Sequence, residues 1–266
     1  MKNPKKHLQT ALLLVVLFLV LAVSDIVYFP ISHERLDFVQ RFMVRQINKS
    51  WGEYSESMPK EKVKIVSYEN FLGQFNFLER RFVERVFAID PKELGFKGAY
   101  FSKKTVDDLV LIPQKTFEMP DGPYETGINY MPGYVYADYE KMMEAMEKDL
   151  GRRLYIDSAY RSPGYQGAIF FYYLGEKNNY SLKENAGWVA MPGYSEHGSE
   201  NTALDFINQD GISGEGKDQT SETFEQLPEY DWLMKNASKY NFYLTYPRNN
   251  PYGVNYESWH WHWEKK

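Results

Sequence analysis

Three of the chain's five histidines fall in two short segments near the C-terminus, Ser195–Asp205 and Glu257–His262. No other feature constrains the fold as much, because such groups act together only if the end of the chain returns against the earlier segment. A catalytic zinc takes about three protein ligands of the histidine and carboxylate type and keeps a position open for water. His197, Asp205 and His260 are the candidates. His197 follows the turn at Pro192-Gly193, and Asp205 lies on the strand expected after it, so a hairpin-like return would bring them together. Glu257, just ahead of His260, is placed to serve as general base.

An earlier segment, Ser158 to Gln166, contributes Arg161. A guanidinium fork suits a carboxylate. It also suits an oxyanion in a tetrahedral intermediate, or a salt bridge to a neighbouring acid such as Asp157. Ser195 is not read as a nucleophile, since the metal would supply one. The absence of cysteine removes disulfides, thiolate ligands and a cysteine nucleophile. A net charge of −5 argues against nucleic-acid binding, which normally shows a basic patch.

Taken in order, these segments resemble the zinc D-alanyl-D-alanine carboxypeptidases of the VanY type. That family reads Ser-x-Tyr-Arg-Ser…Gln, then Pro-Gly-x-Ser-x-His-x-x-Gly-x-Ala-x-Asp, then Glu-x-Trp-His. The chain has Ser158-Ala-Tyr-Arg-Ser162 with Gln166, Pro192-Gly-Tyr-Ser-Glu-His197, Ala203-Leu-Asp205 and Glu257-Ser-Trp-His260. The resemblance runs from about Thr126 onward. It implies Zn2+ on His197, Asp205 and His260, with Glu257 and Arg161 catalytic. Arg161, Ser158, Gln166 and Ser195 would bind substrate. It further implies removal of the terminal D-alanine from peptidoglycan stem peptides ending in D-Ala-D-Ala. L,D-carboxypeptidase or endopeptidase activity on the same fold stays open. A non-catalytic wall-binding module is the competing class, and a cytoplasmic dipeptidase a third.

Two departures from the family pattern stand out. Asp205 is the eighth residue after His197 where the family has the seventh, and Glu200-Asn201 occupy the usual glycine position. Asparagine tolerates the left-handed conformation a turn glycine supplies, and a one-residue bulge would keep Asp205 inward. Glu200 is the back-up ligand. His262 stands where the family often has arginine. We read it as a packed histidine, with a hydrogen-bond donor near the site as the alternative; a fourth ligand would close the site to water.

At the other end, Lys2, Lys5 and Lys6 precede an apolar run from Leu8 to Val23. This is the pattern of an export signal. Residues 1–30 are therefore expected to be a signal peptide, cleaved before Asp25, or an uncleaved membrane anchor. Either would put the catalytic part outside the cytoplasm. Residues 31–100 form an extension without a catalytic constellation. Its helices are expected over 33–48 and 68–87, with a linker over 48–62 and a short strand over 63–66. Residues 101–266 are the expected catalytic domain. Strands are expected near 107–113, 153–157, 203–207, 242–246 and 259–263, helices over 137–150, 166–174 and 228–240, and a turn at 120–123. Residues 208–225 read as a lid or rim. The fold class is α+β, a small mixed or antiparallel sheet with helices packed on it. The resemblance makes this the zinc-peptidase fold of the D-Ala-D-Ala carboxypeptidase and hedgehog type, preceded by a signal-anchor and helical extension.

Overall fold

The structure, a computed structural model, describes residues 4–119, 122–200 and 202–266. Helices α1 (Pro4–Val27), α2 (Phe38–Glu56), α3 (Lys60–Val63), α4 (Tyr68–Gly73) and α5 (Phe77–Val86) come first. Strands β1 (Leu109–Ile112), β2 (Thr116–Met119), β3 (Gly122–Glu125) and β4 (Asn129–Pro132) lead into α6 (Gly133–Leu150). There follow β5 (Leu154–Ser158), α7 (Pro163–Glu176), α8 (Leu182–Ala186), β6 (Ala203–Asn208), α9 (Ser221–Glu225), α10 (Pro228–Asn236), β7 (Phe242–Leu244) and β8 (His260–Trp263). Helices with small antiparallel sheets are the expected α+β class.

The sheet that matters for function has the order β5-β6-β8-β7, with every neighbouring pair antiparallel. β6 lies inside it and is buried at every position. Its register sets Asp205 opposite Ser158 on β5 and opposite His260 on β8. Directly paired residues share a face of a sheet, so Ser158, Asp205 and His260 form one row across three strands. Helices α6 and α10 cover the sheet, burying Tyr139, Met142 and Met146 with Phe206, Trp232 and Trp261. The methionine stripe of α6 is core, as its spacing predicts.

A second apolar cluster joins the N-terminal helices to the C-terminal half. Val44 and Ile47 from α2, Phe71 from α4 and Phe82 from α5 pack with Phe170, Phe171 and Leu174 from α7. The approach is close enough to require glycine. A Cβ on Gly164 would stand 2.4 Å from the carbonyl oxygens of Val66 and Ser67, and one on Gly167 would stand 2.8 Å from the Phe71 ring.

Several local expectations change. α2 runs through the expected linker to Glu56, because Trp51 and Tyr54 pack against the helical core. That burial outweighs the cost of about 1 kcal/mol for Gly52 inside a helix. The strand expected at 63–66 is instead the end of α3 and a loop whose Lys64 carbonyl accepts from Ser162 N. The helix expected over 68–87 breaks into α4 and α5, where Asn76 and Glu79 form a capping box. The turn expected at 120–123 falls partly on residues outside those described.

The expected membrane anchor finds no support. Among the described residues, no helix is long and apolar enough to cross a membrane. In α1 the side chains from Leu12 to Leu21 are exposed. The apolar run then meets Ser24 and Asp25, short of the roughly 20 residues that a span takes. Below it, Ile26 is buried and Arg85 donates to the carbonyls of Asp25, Ile26 and Phe29.

Candidate metal centre

His197 sits in a 3-10 turn, Glu196–Gly198, rather than on a strand. Its carbonyl accepts from Arg161 N at 3.0 Å and from Thr202 Oγ1 at 3.2 Å, which ties the turn to the loop carrying Arg161. Its Nδ1 is 2.8 Å from the Ala159 carbonyl oxygen. A carbonyl only accepts, so Nδ1 carries the proton and Nε2 offers a lone pair. That Nε2 lies 3.2 Å from Asp205 Oδ2.

His260 repeats the logic with its nitrogens exchanged. Nε2 is 2.9 Å from Glu196 Oε2, a carboxylate that accepts. Nδ1 is left facing Asp205 Oδ1 at 3.0 Å. The imidazole stacks on the Tyr246 ring, with centroids 4.8 Å apart. Two imidazole nitrogens and a carboxylate thus converge, one ligand atom from each residue, all within 4.8 Å of one another and all three residues buried.

Burial drives His197 down to about 4, and the charge of Arg161 adds to this, so the ring is neutral. Burial acts the same way on His260, but its bonds to Asp205 and Glu196 prevail and raise it to about 10. Asp205 stays well below the usual carboxylate range: burial would raise it, and the histidines and Arg161 outweigh that. A proton on His260 Nδ1 fills the gap to Asp205 that a cation would fill, and metal binding displaces such protons. The donor set suits a divalent ion, with Glu196 and the Ala159 carbonyl as the outer partners that orient the ligating rings.

Glu257 is 8% exposed and approaches His260 Nδ1 at 3.8 Å. Burial, with the nearby charges of Asp205 and Glu215, pushes its carboxyl up to about 8 despite His260 and Arg161. Arg161 donates through Nε to Ser158 Oγ at 2.9 Å and through Nη2 to Asp205 Oδ2 at 2.6 Å. Its salt bridge is thus to Asp205, while Asp157 accepts from Tyr124 at 2.6 Å. Gln166 is buried; its Nε2 reaches the Ala190 carbonyl at 2.8 Å, and its Oε1 has no partner among the described residues. Gln166 and Ser195 line the same small cavity, about 50 Å³, as His197, Asp205, His260 and Glu257. Ser158 lies instead along a neighbouring cavity and holds Arg161.

The other expected residues separate from the centre. Glu200 is exposed and stands apart from the converging set. Asn201 lies outside the described residues. The register irregularity falls in β5, between Ile156 and Ser158. His262 bonds through Nδ1 to Thr245 Oγ1 at 2.6 Å. Residues 208–225 form a pinned rim: Asn208 Oδ1 accepts from Asp210 N and Ile212 N, and Gln219 Oε1 accepts from Ser213 N and Gly214 N.

Two acids were not singled out in the sequence. Glu196 is the neighbour of His197, and only the 3-10 turn aims it at His260. Glu215 sits on the rim and lines the cleft; its residue surface is exposed, yet desolvation by the cleft walls, with the charges of Asp205 and Asp157, pushes its carboxyl up to about 7.

The fold is similar to that of a solved carboxypeptidase. The structure of the LdcB LD-carboxypeptidase superimposes with a TM-score of 0.50 at 25% identity, covering 65% of this chain and 77% of that one. More narrowly, the chain belongs to the VanY family: residues 129–266 match the model described as D-alanyl-D-alanine carboxypeptidase. Among curated relatives, the Bacillus subtilis (strain 168) protein named "Putative carboxypeptidase YodJ" is 30% identical over 179 residues, 67% of this chain and 59% of its own. The D-alanyl-D-alanine carboxypeptidase of Enterococcus faecalis (strain ATCC 700802 / V583) is 30% identical over 128 residues, 47% of this chain and 37% of its own. The match therefore spans less than two thirds of the length of either relative.

Proposed function

We propose that the chain is a zinc-dependent carboxypeptidase that removes the C-terminal D-alanine from peptidoglycan stem peptides ending in D-Ala-D-Ala, acting outside the cytoplasm. The observation that carries this reading is the convergence of a ring nitrogen from each of His197 and His260 on the Asp205 carboxylate, with Glu257 buried beside them. Residues 101–266 are the proposed catalytic unit, and residues 31–100 brace it through α7. His197, Asp205 and His260 would hold the ion, which when bound supplies Lewis acidity, acidifying water and polarising a peptide carbonyl.

The chain's own groups do the rest. Glu257, kept easy to protonate by burial, takes a proton from the attacking water and delivers it to the leaving amine. Arg161 has donors beyond the two already engaged, and these suit the substrate's terminal carboxylate or the developing oxyanion. Ser158 holds the guanidinium in place. Gln166 Oε1, buried and without a partner among the described residues, is ready to accept from a substrate N–H, and Ser195 offers a hydroxyl on the same wall.

The likeness to an LD-carboxypeptidase structure supports a second reading, hydrolysis of a tetrapeptide after an L-centre. Both are tested by incubating the zinc-loaded chain with a muramyl pentapeptide and a tetrapeptide and reading product mass. Loss of one alanine from the pentapeptide, abolished by chelation and by Glu257→Gln, is expected. Cleavage of the tetrapeptide alone would select the second reading. Neither peptide cut, with metal bound, would leave a binding module.

A further inference from the structure

The segment between α5 and β1 runs past the small cavity of the metal centre. A 3-10 turn, Pro91–Leu94, ends on Gly95, whose φ of +94° turns the chain back. Phe96 follows it inward. Its side chain is 3% exposed and lines the same cavity as His197, Asp205, His260 and Glu257. Among the described residues that line this cavity, Phe96 alone precedes residue 129, where the match to the family begins.

This strap is tied down at both ends. Lys97 N donates to the Tyr252 carbonyl and Phe101 N to the Gly193 carbonyl, each at 2.7 Å. A Cβ on Gly253 would overlap the Gly95 carbonyl oxygen. Tyr194 meets the rings of Phe96 and Tyr100 edge-on, with centroids 6.0 and 5.2 Å apart. One anchoring loop leads on to Glu257 and the other to His197, so the Phe96 ring is held in register with both. Val189, Ala190 and Val254 continue the apolar wall. The space enclosed, about 50 Å³, holds a few waters at roughly 10–15 Å³ each. A methyl group fits there, and a branched side chain of four carbons does not.

We propose that Phe96 is a specificity-determining residue, a wall supplied from outside the family match that limits the size of the terminal residue entering the metal cavity. The ring carries no polar atom, so it selects by excluded volume alone. Shortening it widens the choice of terminal residue and leaves the metal donors in place. The inference rests on the carboxypeptidase reading in taking the end of a peptide as the occupant, and it applies whether the residue before that end is a D- or an L-centre.

The test is calorimetric binding to the zinc-loaded full chain carrying Glu257→Gln, which suppresses turnover. The ligands are N-acetyl-D-Ala and N-acetyl-L-Ala dipeptides ending in D-Ala or in D-Leu, and the pair that binds more tightly is scored. The D-Ala end is expected to bind about tenfold more tightly than the D-Leu end, and adding Phe96→Ala to bring that preference below about twofold. Phe96→Leu, which keeps an apolar side chain in the core, should leave about threefold and decides the matter if the alanine variant does not fold. Phe82→Ala is an equal truncation in the same apolar cluster, away from the cavity, and should leave the preference unchanged. Equal binding of the two ends, binding of no peptide, a preference that survives in the folded Phe96 variants, or the same relaxation in Phe82→Ala would overturn the proposal. Turnover by the chain with Glu257 intact is scored separately. No cleavage with the size preference intact removes the carboxypeptidase reading and leaves the wall; cleavage without preference does the reverse.

Discussion

The β5-β6-β8-β7 sheet and the N-terminal helices are built to different tolerances. The sheet fixes its polar row by hydrogen-bonded register, and sliding β6 or β8 by one residue would turn Asp205 or His260 to the opposite face. The helices α2, α4 and α5 meet α7 through apolar contact and close glycine approaches, where volume matters more than the position of any single polar atom. Chemistry is concentrated where register is strict, and the walls of the cleft are drawn from the region held by packing. The two regions should therefore fail in different ways.

The largest expected effect is in the sheet. Asp205→Asn keeps the shape of the side chain but removes the charge that both histidines and Arg161 face. Bound zinc, measured by elemental mass spectrometry after gel filtration, should fall from one equivalent to near none, and hydrolysis with it. Retention of a full equivalent would remove Asp205 from the ligand set. The converse experiment lies in the helices. Phe82 is fully buried in the helical cluster, and Phe82→Ala should cost about 3–5 kcal/mol of stability. The zinc affinity of the still-folded fraction should stay within twofold of the parent. A large loss of affinity would mean that the two regions are not separable as described.

Glu196 tests how far the strict region extends. Its carboxylate fixes the His260 tautomer at 2.9 Å, and losing such an outer partner typically weakens metal binding about 10–100-fold. Chelator competition should show that loss for Glu196→Ala and partial recovery for Glu196→Gln, which keeps an acceptor oxygen. An unchanged affinity in the alanine variant would confine the strict region to the three donors.

The same division explains what the sequence made legible. Imidazole and carboxylate at His197, Asp205 and His260 announce themselves by residue type, and β6 and β8 are apolar enough to read as strands, so the meeting of these three side chains was accessible. The extra residue between His197 and Asp205 does no harm to the register, because β6 begins at Ala203 and pairs Asp205 with His260 regardless. The walls were not legible. Phe96, Trp188 and Glu215 come from three separate segments with no shared spacing, and α2 extends past Gly52 only because tertiary burial rewards it. Glu196 was hidden for another reason: its direction is set by a single 3-10 turn, which no periodicity announces.

Lys64 lies at the seam between the two regions and gives the smallest effect. Its carbonyl accepts from Ser162 N, and its ammonium donates to Asn129 Oδ1 at 2.7 Å. Desolvation, with Arg161 close by, lowers its pKa to about 8, against the pull of Asp157 and Asp205. The unfolded chain holds this proton up to about 10.4. Between roughly pH 8 and pH 10 the unfolded state therefore binds more protons than the folded state, and the contribution of Lys64 to stability rises with pH. Below pH 8 the folded state carries the cost of a charged amine in a poorly solvated seam. Lys64→Met removes that titration, so the parent should gain on the variant as pH rises from 8 to 10. Other groups titrate in this window in both proteins and cancel in the difference between their denaturant midpoints. A difference that stays flat from pH 8 to 10 would show that the seam is open to water and that the two regions meet more loosely than their shared core implies.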